Sequence, residues 1–372
     1  GIGVSTAYQS SPIDPSIVAT HANSINGHIF RLFELDLSPA IAESIVSQSA
    51  SSEDIQFIVP FWDVNNVTAT NIDKALNKFS SVRSNVAWMT FGNEPDLSYW
   101  PPFDTLAPKL ELIYQHLNAS TQWNHVKVCI PFSGAVFGNG SHFQTQWQSD
   151  LTQILRVLQA YDGPFTLNLY PVYDLIYGQG GYTEERLQYA LGAQPGKHYN
   201  NMLEELYDRG VQAIYNSIGE NHIELMLTET GWPTRSDLYD FASVANAKEY
   251  VGNVLAAMSD SQSVLYEQKI LFFELFDEDT KGGTDSDPAL MEKHWGVYDT
   301  NASLKYYVPG LLKEASNGAG HSGWQVSLIE AVVIAAVCVV VMVVCGGCVY
   351  WVCRKRRKAE KSAEIVLKEQ LL

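Results

Sequence analysis

The stretch MTFGNEPDLSYW, residues 89–100, passes from apolar residues into an amide, a carboxylate and a proline. It belongs to an apolar run over 85–92, which is typical of a strand buried on both faces of a parallel sheet. Pro95 cannot donate a hydrogen bond to a neighbouring strand, so it marks where the strand stops. We therefore predict that Glu94 stands at the carboxyl end of a buried strand.

The chain repeats this strand pattern, and helical patterns fill the intervals. Eight short β-rich apolar runs occur at 2–7, 28–35, 55–62, 85–92, 126–133, 165–172, 223–230 and 270–277. Apolar residues have helical spacing between them, at 109–117, 151–160, 197–218 and 244–258. Eight βα units are what a (β/α)8 TIM barrel requires, so we predict an α/β barrel over residues 1–315. A doubly wound open sheet competes with it, but no glycine-rich phosphate fingerprint follows the first run.

Composition excludes several classes of protein. Of the 372 residues, 46% are hydrophobic and 17% charged, which is ordinary for a folded chain and unlike a disordered one. The net charge of -17 repels phosphate backbones, so nucleic acid is not an expected partner. The sequence shows neither metal-ligand spacing nor a nucleotide-binding motif, and we expect no metal, nucleotide or other cofactor.

The carboxyl-terminal part has the pattern of a membrane anchor. Residues 331–353 carry no charge, and a helix of that length crosses a hydrocarbon core of about 30 Å. Aromatic residues flank it, and the basic cluster RKRRK follows at 354–358, which predicts a cytoplasmic tail. We predict a tether at 316–325, a transmembrane helix at 326–353 and a basic tail at 354–372. A buried core helix is the competing interpretation of the apolar segment.

Other features agree with a barrel outside the cell. N-glycosylation sequons occur at Asn66, Asn118, Asn139 and Asn301, all ahead of the apolar segment. The chain begins with Gly1 rather than methionine, as after removal of a signal peptide. We therefore expect a single-pass type I protein of the plasma membrane, with the barrel extracellular.

The seventh run resembles the fourth, because LTETGWP places Glu229 at its carboxyl end. Barrel enzymes carry their chemistry at this edge, so the two carboxyl groups are expected to face each other. Such a pair cleaves glycosidic bonds, and in retaining enzymes the carboxyl groups lie about 5 to 5.5 Å apart. Asn93 supplies an amide that can bind a sugar 2-hydroxyl. In the plainer interpretation, Glu94 ends a strand and Glu229 caps a helix.

Several motifs together resemble a known family. These are IGVSTAY, FRLFELD, FGNEPD, LNLYP, ETGWP and FFELFDEDTKGG followed by MEKHWGVYDTNASLKY, and they cover nearly all of residues 1–308. They resemble glycoside hydrolase family 17, the β-1,3-glucanases of plants, fungi and oomycetes. NEP alone recurs in many barrel glycosidases, whereas this order of motifs is specific.

The resemblance implies roles for particular residues. Glu94 would be the general acid/base, Glu229 the nucleophile, Asn93 their companion and Tyr170 an active-site tyrosine. Glu278 and Lys281 would form a charged pair that supports the acid/base.

Other side chains are interpreted from the residues themselves. Tyr173 and Trp232 are candidates to stack on sugar rings, with ordinary packing at the barrel rim as the alternative. Arg31 lies in an apolar strand, needs a buried partner and is interpreted as structural. The segment TRSDLYDFASVANAKEY departs from the glycine-rich continuation of the family and leaves the preferred substrate length open.

The expected activity is cleavage of β-1,3-glucan, as polysaccharide or oligosaccharide, through a covalent glycosyl-enzyme. A glucanosyltransferase would use the same intermediate and pass it to another glucan. Two non-enzymatic functions compete with these activities, a membrane glucan-binding receptor and a structural wall anchor. The short tail, which has no signalling domain, counts against the receptor.

Overall fold

The computed structural model describes residues 1–313 except 6–8, 99–101, 139, 179, 220–222 and 283–287. Within these residues the strands are Ile2–Val4 (β1), Ile29–Leu32 (β2), Gln56–Phe61 (β3), Val86–Phe91 (β4), Lys127–Cys129 (β5), Pro131–Ser133 (β6), Phe165–Asn168 (β7), Leu225–Thr230 (β8) and Ile270–Phe272 (β9). The α-helices are Pro15–Ser24 (α1), Ser38–Gln48 (α2), Ala69–Asn77 (α3), Pro95–Ser98 (α4), Leu106–Ala119 (α5), Gln148–Ala160 (α6), Pro171–Tyr177 (α7), Glu184–Leu191 (α8), Met202–Ile218 (α9) and Val244–Ser259 (α10). Short 3-10 turns lie at Ser52–Asp54, Ser80–Asn85, Phe103–Thr105, Gly134–Val136 and Pro288–Lys293.

The strands form one parallel sheet that nearly closes on itself. Their order is β5-β4-β3-β2-β1-β9-β8-β7-β6, so β5 and β6 are the two ends of the sheet. These two strands are consecutive in the chain and only Ile130 separates them. The two edges of the sheet therefore meet in a single run, and the predicted TIM-like barrel is confirmed in this nearly closed form.

The fifth predicted run differs from the others because it is divided. Its first half, β5, pairs with β4, and its second half, β6, pairs with β7. Pro131 begins the second half and has no backbone N–H with which to continue a ladder. Its carbonyl instead accepts a hydrogen bond of 2.7 Å from the backbone N–H of Glu94. The division thus ties β6 to the turn that follows β4.

Apolar side chains pack on both sides of the sheet. A large buried cluster joins the strands to the surrounding helices, and a smaller one draws one residue each from five strands: Ile58, Trp88, Cys129, Met226 and Leu271. Side chains alternate between the faces of a strand, which explains two separate clusters. Cys129 is a free, buried thiol. Burial of both faces accounts for the continuous apolar runs of the sequence.

Local capping residues set where the helices begin. The helical pattern at 197–218 predicted an earlier start than α9 has, because Asn201 caps this helix by accepting a hydrogen bond of 2.9 Å from the N–H of Glu204. Gly219 ends it at a φ of 71°, in the left-handed region that glycine adopts readily. The predicted helices at 109–117, 151–160 and 244–258 lie within α5, α6 and α10.

The predicted membrane anchor falls outside this part of the chain. No helix of the described residues is long and apolar enough to cross a membrane. The tether at 316–325, the helix at 326–353 and the tail at 354–372 all lie beyond the described residues. Among the sequon residues, Asn66, Asn118 and Asn301 are exposed, and Asn139 is not described.

Candidate active site

Glu94 stands on a sharp turn directly after β4. Gly92 has a φ of 71° and Glu94 a φ of 46°, both in the left-handed region, which residues other than glycine rarely adopt. The Gly92 N–H donates to the carbonyl of Phe61, and α4 begins at Pro95. The turn leaves the carboxyl group of Glu94 half-buried in a cleft at the carboxyl end of the barrel.

Glu229 lies within β8 and is only 6% exposed. Its Oε1 accepts a hydrogen bond of 2.6 Å from Nη1 of Arg31, which lies in β2. Its Oε2 accepts a hydrogen bond of 2.6 Å from the hydroxyl of Tyr170, at the amino end of α7. A cation and a neutral donor therefore stabilise the negative charge of this carboxylate.

Asn168, the last residue of β7, links the two carboxyl groups. Its Nδ2 donates to Oε1 of Glu94 at 2.9 Å and to Oδ1 of Asn93 at 3.1 Å. Its Oδ1 accepts from Arg31 Nη1 at 3.3 Å, and Arg31 Nη2 also binds Oδ1 of Asn93 at 2.7 Å. Glu94 and Glu229 thus belong to one hydrogen-bond network. Since Oδ1 of Asn93 already accepts from two donors, the NH2 group is the part that can bind a substrate hydroxyl.

The surroundings of Glu94 favour its protonated form. Burial, followed by the negative charge of Glu229, raises the pKa of Glu94 from 4.5 to about 8, and the hydrogen bond from Asn168 partly opposes this rise. A carboxyl group with such a pKa still holds its proton at pH 7. The arrangement sets a proton donor beside a carboxylate held by Arg31, and two carboxyl groups in opposite environments can divide acid and nucleophile roles between them.

Comparison with known proteins identifies the family. Residues 41–309 match the model of the glycosyl hydrolases family 17. The chain belongs to this family. A curated relative from Arabidopsis thaliana, glucan endo-1,3-beta-glucosidase 8, is 27% identical over 264 residues, covering 66% of this chain and 51% of its own length. Glucan endo-1,3-beta-glucosidase 7 of the same plant is 30% identical over 259 residues, covering 64% and 49%. The chain thus spans about half the length of these relatives.

Solved structures support the fold. A β-1,3-glucanase and pollen allergen of Cryptomeria japonica, CJP38, superposes with a TM-score of 0.70 at 23% identity, covering 84% of this chain and 99% of its own. A mutant β-1,3-glucanosyltransferase of Rhizomucor miehei, in complex with laminaritriose, superposes with a TM-score of 0.54 at 18% identity, covering 85% and 97%. At these identities the likeness is one of fold.

Within this family 17 barrel, Lys281 forms ion pairs with two carboxyl groups other than Glu94 and Glu229. Its Nζ lies 3.0 Å from Oε2 of Glu278 and 3.5 Å from Oε2 of Glu292. Ser5 donates to the other oxygen of Glu278, and Tyr173 donates to Glu292. Glu278 and Lys281 therefore belong to a second ionic cluster on the wall of the cleft.

A further carboxyl group, Glu274, is buried beside this cluster. It is 1% exposed, neither carboxyl oxygen has a hydrogen-bond partner, and burial raises its pKa well above the usual range. Burial alone would lower the pKa of Lys281, but the acidic groups around it, among them the ion-paired Glu278 and Glu292, outweigh burial and raise that pKa. Lys281 therefore remains a cation, and it lies 4.4 Å above the ring of Phe273.

The predicted aromatic residues have different places. Tyr170 and Tyr173 line the cleft, and both pack against the buried ring of Trp295, at 4.9 and 5.9 Å between centroids. Trp232 is not among the residues that line the cleft, and its role in sugar binding stays a prediction. It is 1% exposed, its Nε1 donates to the carbonyl of Phe241 at 2.9 Å, and its ring packs on Tyr250.

Three residues of the site are not identified as site residues by the sequence pattern. Arg31 was interpreted as structural, yet it binds Glu229 and Asn93 directly. Asn168 and Glu292 were not singled out. The signal for Arg31 was present, because an arginine in a buried strand requires a buried anion and the predicted nucleophile was available. Glu292 lies in the MEKHWGVY motif, but no local pattern showed which cation it meets.

The cleft has a volume of about 1690 Å³, and Glu94 and Glu229 line it together with Asn93, Tyr170, Glu278 and Lys281. Within the described residues, no three histidine, cysteine or acidic side chains lie close enough together to hold a metal ion. The groups that the described cleft offers for chemistry are therefore carboxyl, amide, hydroxyl, guanidinium and ammonium groups.

Proposed function

We propose that this family 17 protein hydrolyses β-1,3-glucan with retention of configuration, Glu94 acting as acid/base and Glu229 as nucleophile. The observation that carries the proposal is the single hydrogen-bond network that holds Glu94 and an arginine-bound Glu229 in one cleft. The raised pKa of Glu94 agrees with its role as the acid. The names of the relatives, glucan endo-1,3-beta-glucosidases, support β-1,3-glucan as the substrate class.

In the first step Glu94 donates its proton to the glycosidic oxygen while Glu229 attacks the anomeric carbon. The bond from that carbon to the glycosidic oxygen breaks, and a bond to a carboxyl oxygen of Glu229 forms. Arg31 and Tyr170 hold Glu229 in position before the attack. The amide of Asn93 donates to the sugar 2-hydroxyl, where hydrogen bonds strengthen in the transition state.

In the second step Glu94, now ionised, takes a proton from water. The water oxygen attacks the anomeric carbon, the bond to Glu229 breaks, and both carboxyl groups return to their starting states. Two inversions at one carbon give net retention. A sugar hydroxyl in place of water would give glucanosyl transfer through the same residues.

The test uses the full chain with reduced laminarioligosaccharides, and NMR follows the anomer formed first. Retention predicts shorter oligosaccharides whose new reducing ends appear first as the β-anomer, and Glu229→Ala should abolish them. Formation of the α-anomer first, or cleavage that persists in Glu229→Ala, would contradict the proposal. Products longer than the substrate would indicate the glucanosyltransferase, and glucan binding without any turnover would indicate a receptor.

We further propose that the barrel works outside the cell, held at the plasma membrane by residues 326–353. The charge-free segment at 331–353 and the exposed asparagines of three sequons, Asn66, Asn118 and Asn301, support this placement. Enzymatic removal of N-glycans should lower the apparent mass of the protein. Replacing any one of these asparagines with glutamine should lower the apparent mass by the contribution of one glycan. Unchanged mass, or recovery of the full chain in the soluble fraction without detergent, would contradict the placement.

A further inference from the structure

The catalytic pair divides the rim of the barrel into two arcs. Glu94 follows β4 and Glu229 lies in β8. In the order of the sheet, β3, β2, β1 and β9 separate these strands on one side, and β7 with the divided run β6 and β5 separates them on the other. The cleft is lined from both arcs, so a bound chain can extend past the pair in two directions.

Trp62 lines the cleft on the first arc, directly after β3. Its Nε1 donates to the carbonyl of Phe33 at 2.9 Å, which fixes one edge of the indole. The side chain nevertheless remains 44% exposed. A large aromatic ring held at one edge and open to solvent is a surface on which an apolar face can stack.

Tyr177 lines the cleft on the second arc, at the end of α7. Tyr170, Tyr173 and Tyr177 are spaced by three and then four residues, so they share one face of this helix. Their ring centroids lie 5.5 and 6.1 Å apart along the row, and the last two rings are inclined by 26°. The row begins at the hydroxyl that binds Glu229 and ends at a side chain that is 70% exposed.

We propose that Trp62 and Tyr177 are sugar-stacking platforms on opposite sides of the bond that is cleaved. Each takes one glucosyl unit of a β-1,3-glucan chain, because the C–H face of a pyranose ring is apolar and matches an aromatic surface. This inference rests on the proposed function. Scattered exposed aromatics are ordinary on protein surfaces. Trp62 and Tyr177 differ from such scattered residues because they line the same cleft as the catalytic pair and lie on either side of that pair.

The two platforms have a consequence for where a chain is cut. A hexasaccharide binds in several registers, and each register places a different bond over the catalytic pair. Loss of one platform weakens the registers that use it, so the cut moves along the chain toward the reducing or the non-reducing end. Loss of the other platform must move the cut in the opposite direction.

The experiment compares Trp62→Ala, Tyr177→Ala and the unchanged full chain on laminarihexaose carrying 18O at its reducing end. Mass spectrometry of the products identifies the bond that was cut. We expect kcat/KM to fall about tenfold in each variant, which corresponds to about 1.4 kcal/mol, and the cut to move in opposite directions. Trp62→Phe and Tyr177→Phe keep a ring and should keep most of the original pattern. Tyr182→Ala is the matched control, because Tyr182 is 53% exposed and does not line the cleft.

An unchanged pattern, or a shift in the same direction for both alanine variants, would overturn the platforms while cleavage by the unchanged chain upholds the proposed function. If the unchanged chain does not cleave laminarihexaose, polysaccharide or any shorter oligomer, the proposed function fails, and the platforms fail with it. Circular dichroism of each variant checks that the fold is retained.

Discussion

The two carboxyl groups of the cleft lie in contrasting surroundings. Glu229 is inside a strand, and a guanidinium and a phenol bind its two oxygens. Glu94 follows a strand on a left-handed turn, takes an amide donor from Asn168, and has a pKa of about 8. Burial and the negative charge of Glu229 raise the pKa of Glu94, whereas Glu229 has the guanidinium of Arg31 as its counter-ion. The difference between the two sites teaches that burial and neighbouring charge, rather than position in a strand, set apart two such acids.

The largest effects are expected when either acid is replaced, and the stereochemistry of the product distinguishes the two variants. Glu229→Ala and Glu94→Ala should each lower kcat on β-1,3-glucan by about 10³-fold or more, since each removes a group that acts in the transition state. On an aryl β-glucoside of a laminarioligosaccharide, whose leaving group departs without a proton, added azide should restore turnover in different ways. In Glu229→Ala it displaces the leaving group once and gives the α-glycosyl azide, whereas in Glu94→Ala it attacks the glycosyl-enzyme and gives the β-glycosyl azide. NMR of the product distinguishes them.

Glu224→Ala is the control for this pair, because Glu224 precedes β8 and pairs with Lys269 at the surface. Its activity should stay within about twofold of the unchanged chain, as expected for an exposed ion pair. If both variants gave the same anomer of the glycosyl azide, the assignment of Glu94 as acid/base and Glu229 as nucleophile would be contradicted.

The next largest effect is expected when Arg31, the cation that binds Glu229, is replaced. Arg31→Met leaves a buried carboxylate without its counter-ion, so the free energy of unfolding should fall by about 3–5 kcal/mol and kcat/KM by about 100-fold. Lys78→Met breaks an exposed pair with Asp36 and should leave the stability almost unchanged, because solvent screens this pair. Urea unfolding and steady-state kinetics measure both. Equal, small losses in the two variants would contradict the assignment of Arg31.

A smaller effect distinguishes an aromatic residue that lines the cleft from one that is buried in the core, a distinction that the sequence did not make. Tyr170→Phe removes the hydrogen bond to Glu229 and should lower kcat about tenfold with little change in stability. Trp232→Ala should instead lower the free energy of unfolding by about 3–5 kcal/mol, because a large buried ring is lost. The folded fraction of that variant should keep its kcat on laminaritriose. A selective loss of substrate affinity in Trp232→Ala would instead identify Trp232 as a sugar-binding residue.

The smallest effect follows from the raised pKa of Glu94. The folded state holds this proton more tightly than the unfolded state, so the contribution to stability is fully present below pH 4.5 and is lost as the pH rises toward about 8. Glu94→Gln should therefore gain stability relative to the unchanged chain at pH 8.5 but not at pH 4. The kcat/KM of the unchanged chain should fall as the pH rises through about 8, where the acid loses its proton. Thermal unfolding across this pH range and a pH profile measure the two effects, and a falling limb near pH 5 would contradict this picture.

Much of the barrel was predictable because it depends on local pattern. Apolar runs and intervening helical spacing located the strands, since burial of both faces leaves its mark on every residue of a strand. The positions of Glu94 and Glu229 at strand ends followed from the same runs. The division of the fifth run was not predicted, although Pro131 was visible in it.

Local sequence patterns could not predict the contacts between distant strands. Arg31 and Glu229 are 198 residues apart in the chain, and their ion pair forms only when the sheet closes. The resemblance paired Lys281 with Glu278, and the fold adds a second partner, Glu292, that no local pattern indicated. Trp232 follows Glu229 closely in sequence, but its ring packs among Phe241 and Tyr250 in the core.

The sequence by itself determined the strand and helix pattern, the two acids at strand ends and the family, because periodicity and motif order are properties of neighbouring residues. Only the tertiary structure decided how deeply each acid is buried, which cation binds which carboxylate and which aromatic rings line the cleft. The physical reason is that burial and charge act through space. The field at Glu94 is set by Glu229, Asn168 and Arg31, which reach it from three other strands.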